Sequence, residues 1–205
     1  MIVRGNRGMK VAIRKFGAML GAGLLLTGCV SLGGEVPEQL ITLTARNTAP
    51  AGEMDSGTIG NAIVVLDPDT DRRLDVARVP VQINDSTLAY LKDAVWVERP
   101  ARQFRRLLAE TIRAKSKRIV VESSDYEVSG KTVLSGRLID MGYDSRTQSV
   151  VVRYDAVIEG SDGVIKSRRF ESVMPGISAK AVSVAPALNE AANAVAVEVA
   201  EWISE

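Results

Sequence analysis

Along residues 149–159 the side chains alternate. Val150, Val152, Tyr154, Ala156 and Ile158 point one way; Arg153, Asp155 and Glu159 point the other, beside Val151 and Val157. A period of two predicts a half-buried antiparallel strand. A matching stretch, 133–143, precedes it across Asp144-Ser145-Arg146-Thr147. Ser161-Asp162-Gly163 leads into a third strand, 164–173, which Pro175-Gly176 stops. These three form a meander. Elsewhere the period becomes helical. Pro100 opens a helix, where its missing N–H costs nothing. Phe104, Leu107, Leu108 and Ile112 form its apolar stripe, and Arg102, Arg105, Arg106, Glu110 and Arg113 fall outside it. That helix is expected to fray near 115–117. A second runs from about 183 to 203 on Val184, Leu188, Ala191, Val195, Val199 and Trp202.

The unbroken run Ile63-Val64-Val65-Leu66 predicts a strand covered on both faces. Ile41-Thr42-Leu43-Thr44 alternates and predicts a first strand. Residues 74–83 read as extended, with Pro80 marking an edge or a bulge. Residues 88–97 and 119–121 are further strands, while 46–57 and 123–130 read as loops. The order predicts an α+β two-layer sandwich: a mixed, mainly antiparallel sheet with both helices on one face.

One apolar run belongs to no such element. Residues 16–26 are apolar, diluted by Gly and Ala, and follow Arg4, Arg7, Lys10, Arg14 and Lys15 with no acid among them. The run is shorter than the ~20 residues that span a bilayer. A charged start, an apolar stretch and small residues before a cut are the layout of a secretory signal. Leu26-Thr27-Gly28-Cys29 resembles the lipobox of bacterial lipoproteins, which implies cleavage between Gly28 and Cys29 and a lipid on Cys29. A thiolate suits thioether formation, and each buried methylene adds about 0.8 kcal/mol of anchoring. The expected organisation is a signal peptide at 1–28, a lipidated tether at 29–39 and one domain at 40–205.

Cys29 is the only cysteine, so no internal disulfide follows it. Five of the 26 basic residues and none of the 25 acids lie in the signal, leaving 21 basic against 25 acidic residues. That balance argues against nucleic-acid binding. The chain has no histidine, the commonest general base and metal ligand. Asp67, Asp69 and Asp71 start like a calcium loop, but Arg72 and Arg78 stand where that loop needs glycine and glutamate. No phosphate-binding loop and no Gly-x-Ser-x-Gly elbow occurs. We therefore expect no enzyme, no catalytic or metal residues, and no cofactor beyond the covalent lipid. Trp96 and Trp202 read as core anchors, with lipid or partner contact as the alternative. The helix arginines read as a solvated face, with lipid headgroups as the alternative.

Several landmarks together resemble the ABC-type transport auxiliary lipoproteins, of the PqiC and YmbA kind. They are the lipobox, Leu74-Asp75-Val76-Ala77-Arg78-Val79, Trp96-Val97-Glu98-Arg99-Pro100, Ser124-Asp125-Tyr126, Arg168-Arg169-Phe170, Ala187-Leu188-Asn189 and Trp202-Ile203. The resemblance implies a domain like the N-terminal domain of TolB. It also implies a non-enzymatic, periplasm-facing outer-membrane lipoprotein, whose partners are an MCE-family subunit, a permease and an ATPase of a lipid transporter. Val30 is not the aspartate that retains lipoproteins in the inner membrane of enteric bacteria. A homo-oligomer is compatible with such a docking role. The alternative is a stand-alone periplasmic lipoprotein that binds lipid or another apolar ligand. A hydrolase whose serine or acid groups meet only in space is the third reading.

Overall fold

The computed structural model describes residues 39–52, 56–116, 118–123 and 132–204. The chain divides into two units, 1–36 and 37–205, and every described residue lies in the second. The signal, Gly28, Cys29 and Ser124-Asp125-Tyr126 lie outside the described residues.

The elements follow in the order β1 (Ile63–Leu66), β2 (Arg78–Gln82), β3 (Leu88–Val95), α1 (Pro100–Lys115), β4 (Val120–Ser123), β5 (Thr132–Asp144), β6 (Ser149–Glu159), β7 (Ile165–Met174) and α2 (Ala181–Ser204), with a short 3-10 turn at Ile59–Asn61. The fold is α+β, with a mixed sheet and two helices on one of its faces. β5 is its axis. One edge of β5 pairs with β6 along almost its full length, and β6 pairs in turn with β7, both antiparallel. The other edge is shared: β1 pairs in parallel with 132–134, Asp69 bridges at Arg137, and β2 pairs in parallel at 143–144. β4 lies parallel beside β1, and β3 antiparallel beside β2.

Sharing an edge leaves a gap, and Arg73 fills it. β5 bulges between Leu138 and Asp140. The Arg73 guanidinium donates there to the Ile139 carbonyl and, at 2.8 Å, to Asp140 Oδ1. Two glycines permit close approach. A Cβ on Gly136 (φ +153°) would lie 2.1 Å from Asp155 O and 2.7 Å from Tyr154 Oη; one on Gly142 would lie 2.5 Å from Pro80 O. No larger residue fits where Tyr154 and β2 cross β5.

Both helices cover the same face. Phe104, Leu108 and Ile112 of α1 and Val184, Leu188, Ala191, Val195 and Val199 of α2 are fully buried against Val150, Val152, Tyr154 and Ala156 of β6. Phe104 meets Tyr154 edge to face at 5.3 Å. Alanines on α2 leave no bulk between helix and sheet. β1 is buried on both faces, as its unbroken run predicts: Val64 and Leu66 join Val133 in a small cluster opposite the main core.

Two strand expectations need correction. Ile41-Thr42-Leu43-Thr44 is not a strand; only Ile41 makes a bridge, parallel to Trp96, and the next amides find side-chain acceptors instead. The extended segment is shorter than 74–83, because Asp71 turns the chain at Leu74 and Asp75. At Pro80 the bulge, one of the two alternatives expected, is the one present: β2 pairs on both sides, and its register with β3 shifts between Arg78 and Pro80. α2 also begins two residues earlier than predicted. It tolerates Pro186 because the carbonyl left without an N–H belongs to Val182, which is exposed.

Candidate functional site

Two surfaces stand out. The first is a strap, residues 41–49, along the seam between α1 and α2. Ile41 enters through Trp96: its N–H donates to Val95 O at 2.7 Å and its carbonyl accepts from Val97 N at 2.9 Å. The strap then leaves the sheet, and side-chain carbonyls replace a partner strand. Leu43 N donates to Gln103 Oε1 (2.9 Å), Thr44 N to Asn189 Oδ1 (2.8 Å) and Arg46 N to Asn193 Oδ1 (2.8 Å). Asn193 Nδ2 returns a bond to Thr44 O at 3.0 Å, and Ala49 N donates to Glu110 Oε1 at 2.9 Å. Gln103 and Asn193 are almost fully buried. Buried carboxamides need partners, and the strap backbone supplies them.

The second surface is the face of β5, β6 and β7 turned away from the helices. Register places its side chains in rows. Asp140, Arg153 and Glu171 form one row; Arg137, Asp155 and Arg169 form the next. Arg153 pairs with both Asp140 and Glu171, and Arg73 extends that row through Asp140 to Asp71. Arg169 holds Asp155 through two bonds, Nε to Oδ1 and Nη2 to Oδ2. Charges therefore alternate along each row and between rows. The hydrogen bonds from Arg169 hold the Asp155 carboxyl below the usual range, and those from Arg146 do the same for Asp144. Burial pushes the Tyr154 hydroxyl upward, so it stays protonated and donates to Ser135 O at 2.9 Å.

Where β2 and β3 splay from β5, this face dips into a groove of about 410 Å³. Pro80, Leu88 and Val151 form its apolar part; Arg73, Asp140, Arg146 and Arg153 ring it. Each of these arginines is engaged with a carboxylate of the same chain.

A family model for ABC-type transport auxiliary lipoprotein components matches residues 41–200, from the strap to the last turns of α2. The chain belongs to that family. Among solved structures, a Xanthomonas campestris protein described as DUF330 is 22% identical, over 80% of this chain and 94% of that one, with a TM-score of 0.61. A structure titled as an uncharacterized protein is 13% identical, over 80% and 99%, also at 0.61. Both identities are low, and the likeness is one of fold. The PelC dodecamer from Paraburkholderia phytofirmans follows at 15% identity, 67% and 83% coverage and a TM-score of 0.38. No curated protein matches the chain.

Within this auxiliary lipoprotein the sequence-predicted residues are widely spread. Trp96 is fully buried, with no hydrogen-bond partner for Nε1 among the described residues. Trp202 is half-buried and tilts against Phe170 at 5.6 Å. Trp96 is a core residue, and Trp202 packs against the margin of the core. Asp67 pairs with Arg105 at 3.2 Å and Asp71 with Arg73 at 3.0 Å, while Asp69 bridges β5 through its backbone. Two of the three calcium-like aspartates are thus tied to arginines. Of the four helix arginines, Arg102 and Arg106 reach Glu98, and Arg113 reaches Glu110. Arg105 departs from the expected solvated face: it is largely buried between Asp67 and Glu122. No helix among the described residues is long and apolar enough to cross a membrane.

Sequence reasoning missed the carboxamides. The signal was present: Asn189 and Asn193 stand four apart on a helix otherwise rich in Ala and Val, and Gln103 interrupts the apolar side of α1. Polar residues in such places imply a backbone partner.

Proposed function

We propose that this protein is a non-enzymatic adaptor of an MCE-type ABC transporter moving lipids across the envelope, held by acyl chains on Cys29 to the periplasmic side of the outer membrane. Family membership over residues 41–200 is the observation that carries this reading. The strap supports it mechanically. Eleven residues separate Cys29 from Ile41, a reach of at most roughly 40 Å, so the lipid confines the domain close to the bilayer. A pull on the tether meets the Ile41 bridge and then the carboxamide clasps, which spread it over two helices. The outer face of the described sheet stays uncovered for the transporter's periplasmic components to dock.

Two measurements test this. Labelled palmitate should enter the wild-type chain in cells and not Cys29→Ser, which should leave the membrane fraction. Cross-linking followed by capture of the tagged chain should recover an MCE subunit with its permease and ATPase. Unlabelled wild-type protein, or membrane sedimentation unchanged in Cys29→Ser, overturns the anchor. Failure to recover any of those components overturns the transporter role.

The stand-alone reading, a carrier of apolar ligand, has weaker support. Its pocket would need an apolar lining, and the groove on the outer face is ringed by ion pairs. Co-purifying lipid in native extracts of the isolated chain would favour it.

A further inference from the structure

β7 is an edge strand of ten residues. Among the described residues it pairs with β6 alone, so the backbone groups on its far side face no strand. A long free edge is a template for another strand. Its side chains name the partner.

The outer-face rows end at this edge with opposite charges. The row of Asp140 and Arg153 ends on Glu171; the row of Arg137 and Asp155 ends on Arg169. We propose that two copies of this chain pair antiparallel through β7, about a twofold axis at Phe170. Arg169 then stands opposite the partner's Glu171, and Glu171 opposite the partner's Arg169. Such a contact is isologous: one self-complementary patch used twice. Both rows continue across the axis without a break in alternation, and the two seven-stranded sheets become one continuous sheet. Directly opposite side chains lie about 4.5–5.5 Å apart at Cβ, close enough for opposite charges to attract and like charges to repel.

Other registers are worse. Sliding one strand by two residues sets Arg169 against the partner's Arg169 in one direction, and Glu171 against the partner's Glu171 in the other. A one-residue slide turns the charged rows toward the partner's helix side. One register therefore satisfies charge and face together. Ile165 and Val173, exposed on the outer face of β7, would flank the new contact.

The test uses the full chain in mild detergent, with sedimentation as readout. Wild type should form dimers. Arg169→Glu alone and Glu171→Arg alone each set two like-charge pairs across the axis, and each should dimerise at least about tenfold more weakly. Mixing the two variants should restore dimers, because both cross-axis pairs become opposite again. A folding defect in either variant does not predict that rescue, and circular dichroism of each monitors it. Outward β7 amides should gain hydrogen-exchange protection as concentration rises. The proposal is overturned if wild type stays monomeric, if either variant pairs with itself as wild type does, or if mixing restores nothing. A larger assembly in which β7 amides exchange freely also overturns it.

Discussion

β6 presents two chemistries on one backbone. Toward the helices it carries Val150, Val152, Tyr154 and Ala156, all fully buried. Away from them it carries Val151, Arg153, Asp155 and Val157, where the charged residues meet partners on β5 and β7. The helix face is closed by burial, which is strong and nondirectional. The outer face is organised by ion pairs, which are weak in water but demand opposite partners at fixed positions. Stability therefore belongs to the first face and selectivity to the second.

The largest effect expected is at the helix face. Phe104→Ala removes a ring that is fully buried and set edge-on to Tyr154. It should cost about 3–5 kcal/mol, measured by denaturant unfolding. A loss below about 1 kcal/mol, the scale of a surface pair, would break the contrast between the faces.

The strap comes next. Asn193→Ala deletes an acceptor for Arg46 N and a donor to Thr44 O, both supplied by a carboxamide buried in the seam. A lost buried partner costs about 1–3 kcal/mol. Because that loss falls on the strap, limited proteolysis should cut within 42–49 much faster while the helices stay resistant. Unchanged cutting would show that the Ile41 bridge alone secures the segment.

Periodicity made most of the secondary structure legible, because a strand or helix shows its buried face in its own spacing. Val150 to Ile158 and Phe104 to Ile112 needed no partner to be read. What stayed hidden depends on residues distant in sequence. The division of one β5 edge among β1, Asp69 and β2 leaves no mark on the period of β5; the bulge at Ile139 and the reach of Arg73 are its consequences. Arg105 sits beside the apolar stripe as its neighbours do, and only Asp67 and Glu122, brought in by β1 and β4, make it a buried residue. Ile41-Thr42-Leu43-Thr44 alternates like a strand, yet two helices offering carboxamides captured it first. The charged rows were half visible: Arg153 and Asp155 read as outward, but their rows exist only once register sets Asp140, Glu171 and Arg169 beside them.

The smallest effect expected is at one outer-face pair, and its pH dependence identifies it. Asp155→Asn removes the carboxylate that Arg169 grips. The residue is about a third exposed, so screening limits the loss to about 1 kcal/mol or less at pH 7. Arg169 holds the folded carboxyl below its unfolded value, which lies near 3.9. The unfolded chain therefore binds the proton first as pH falls. The stability from this pair is complete above about pH 5, and it drains away as pH drops through the folded value. Unfolding curves of wild type and Asp155→Asn should differ slightly at pH 7 and converge in acid. A gap that stays constant down to pH 2 would mean that the loss comes from altered packing rather than from charge. The rows would then be a by-product of register, and the division of labour between the two faces would fail.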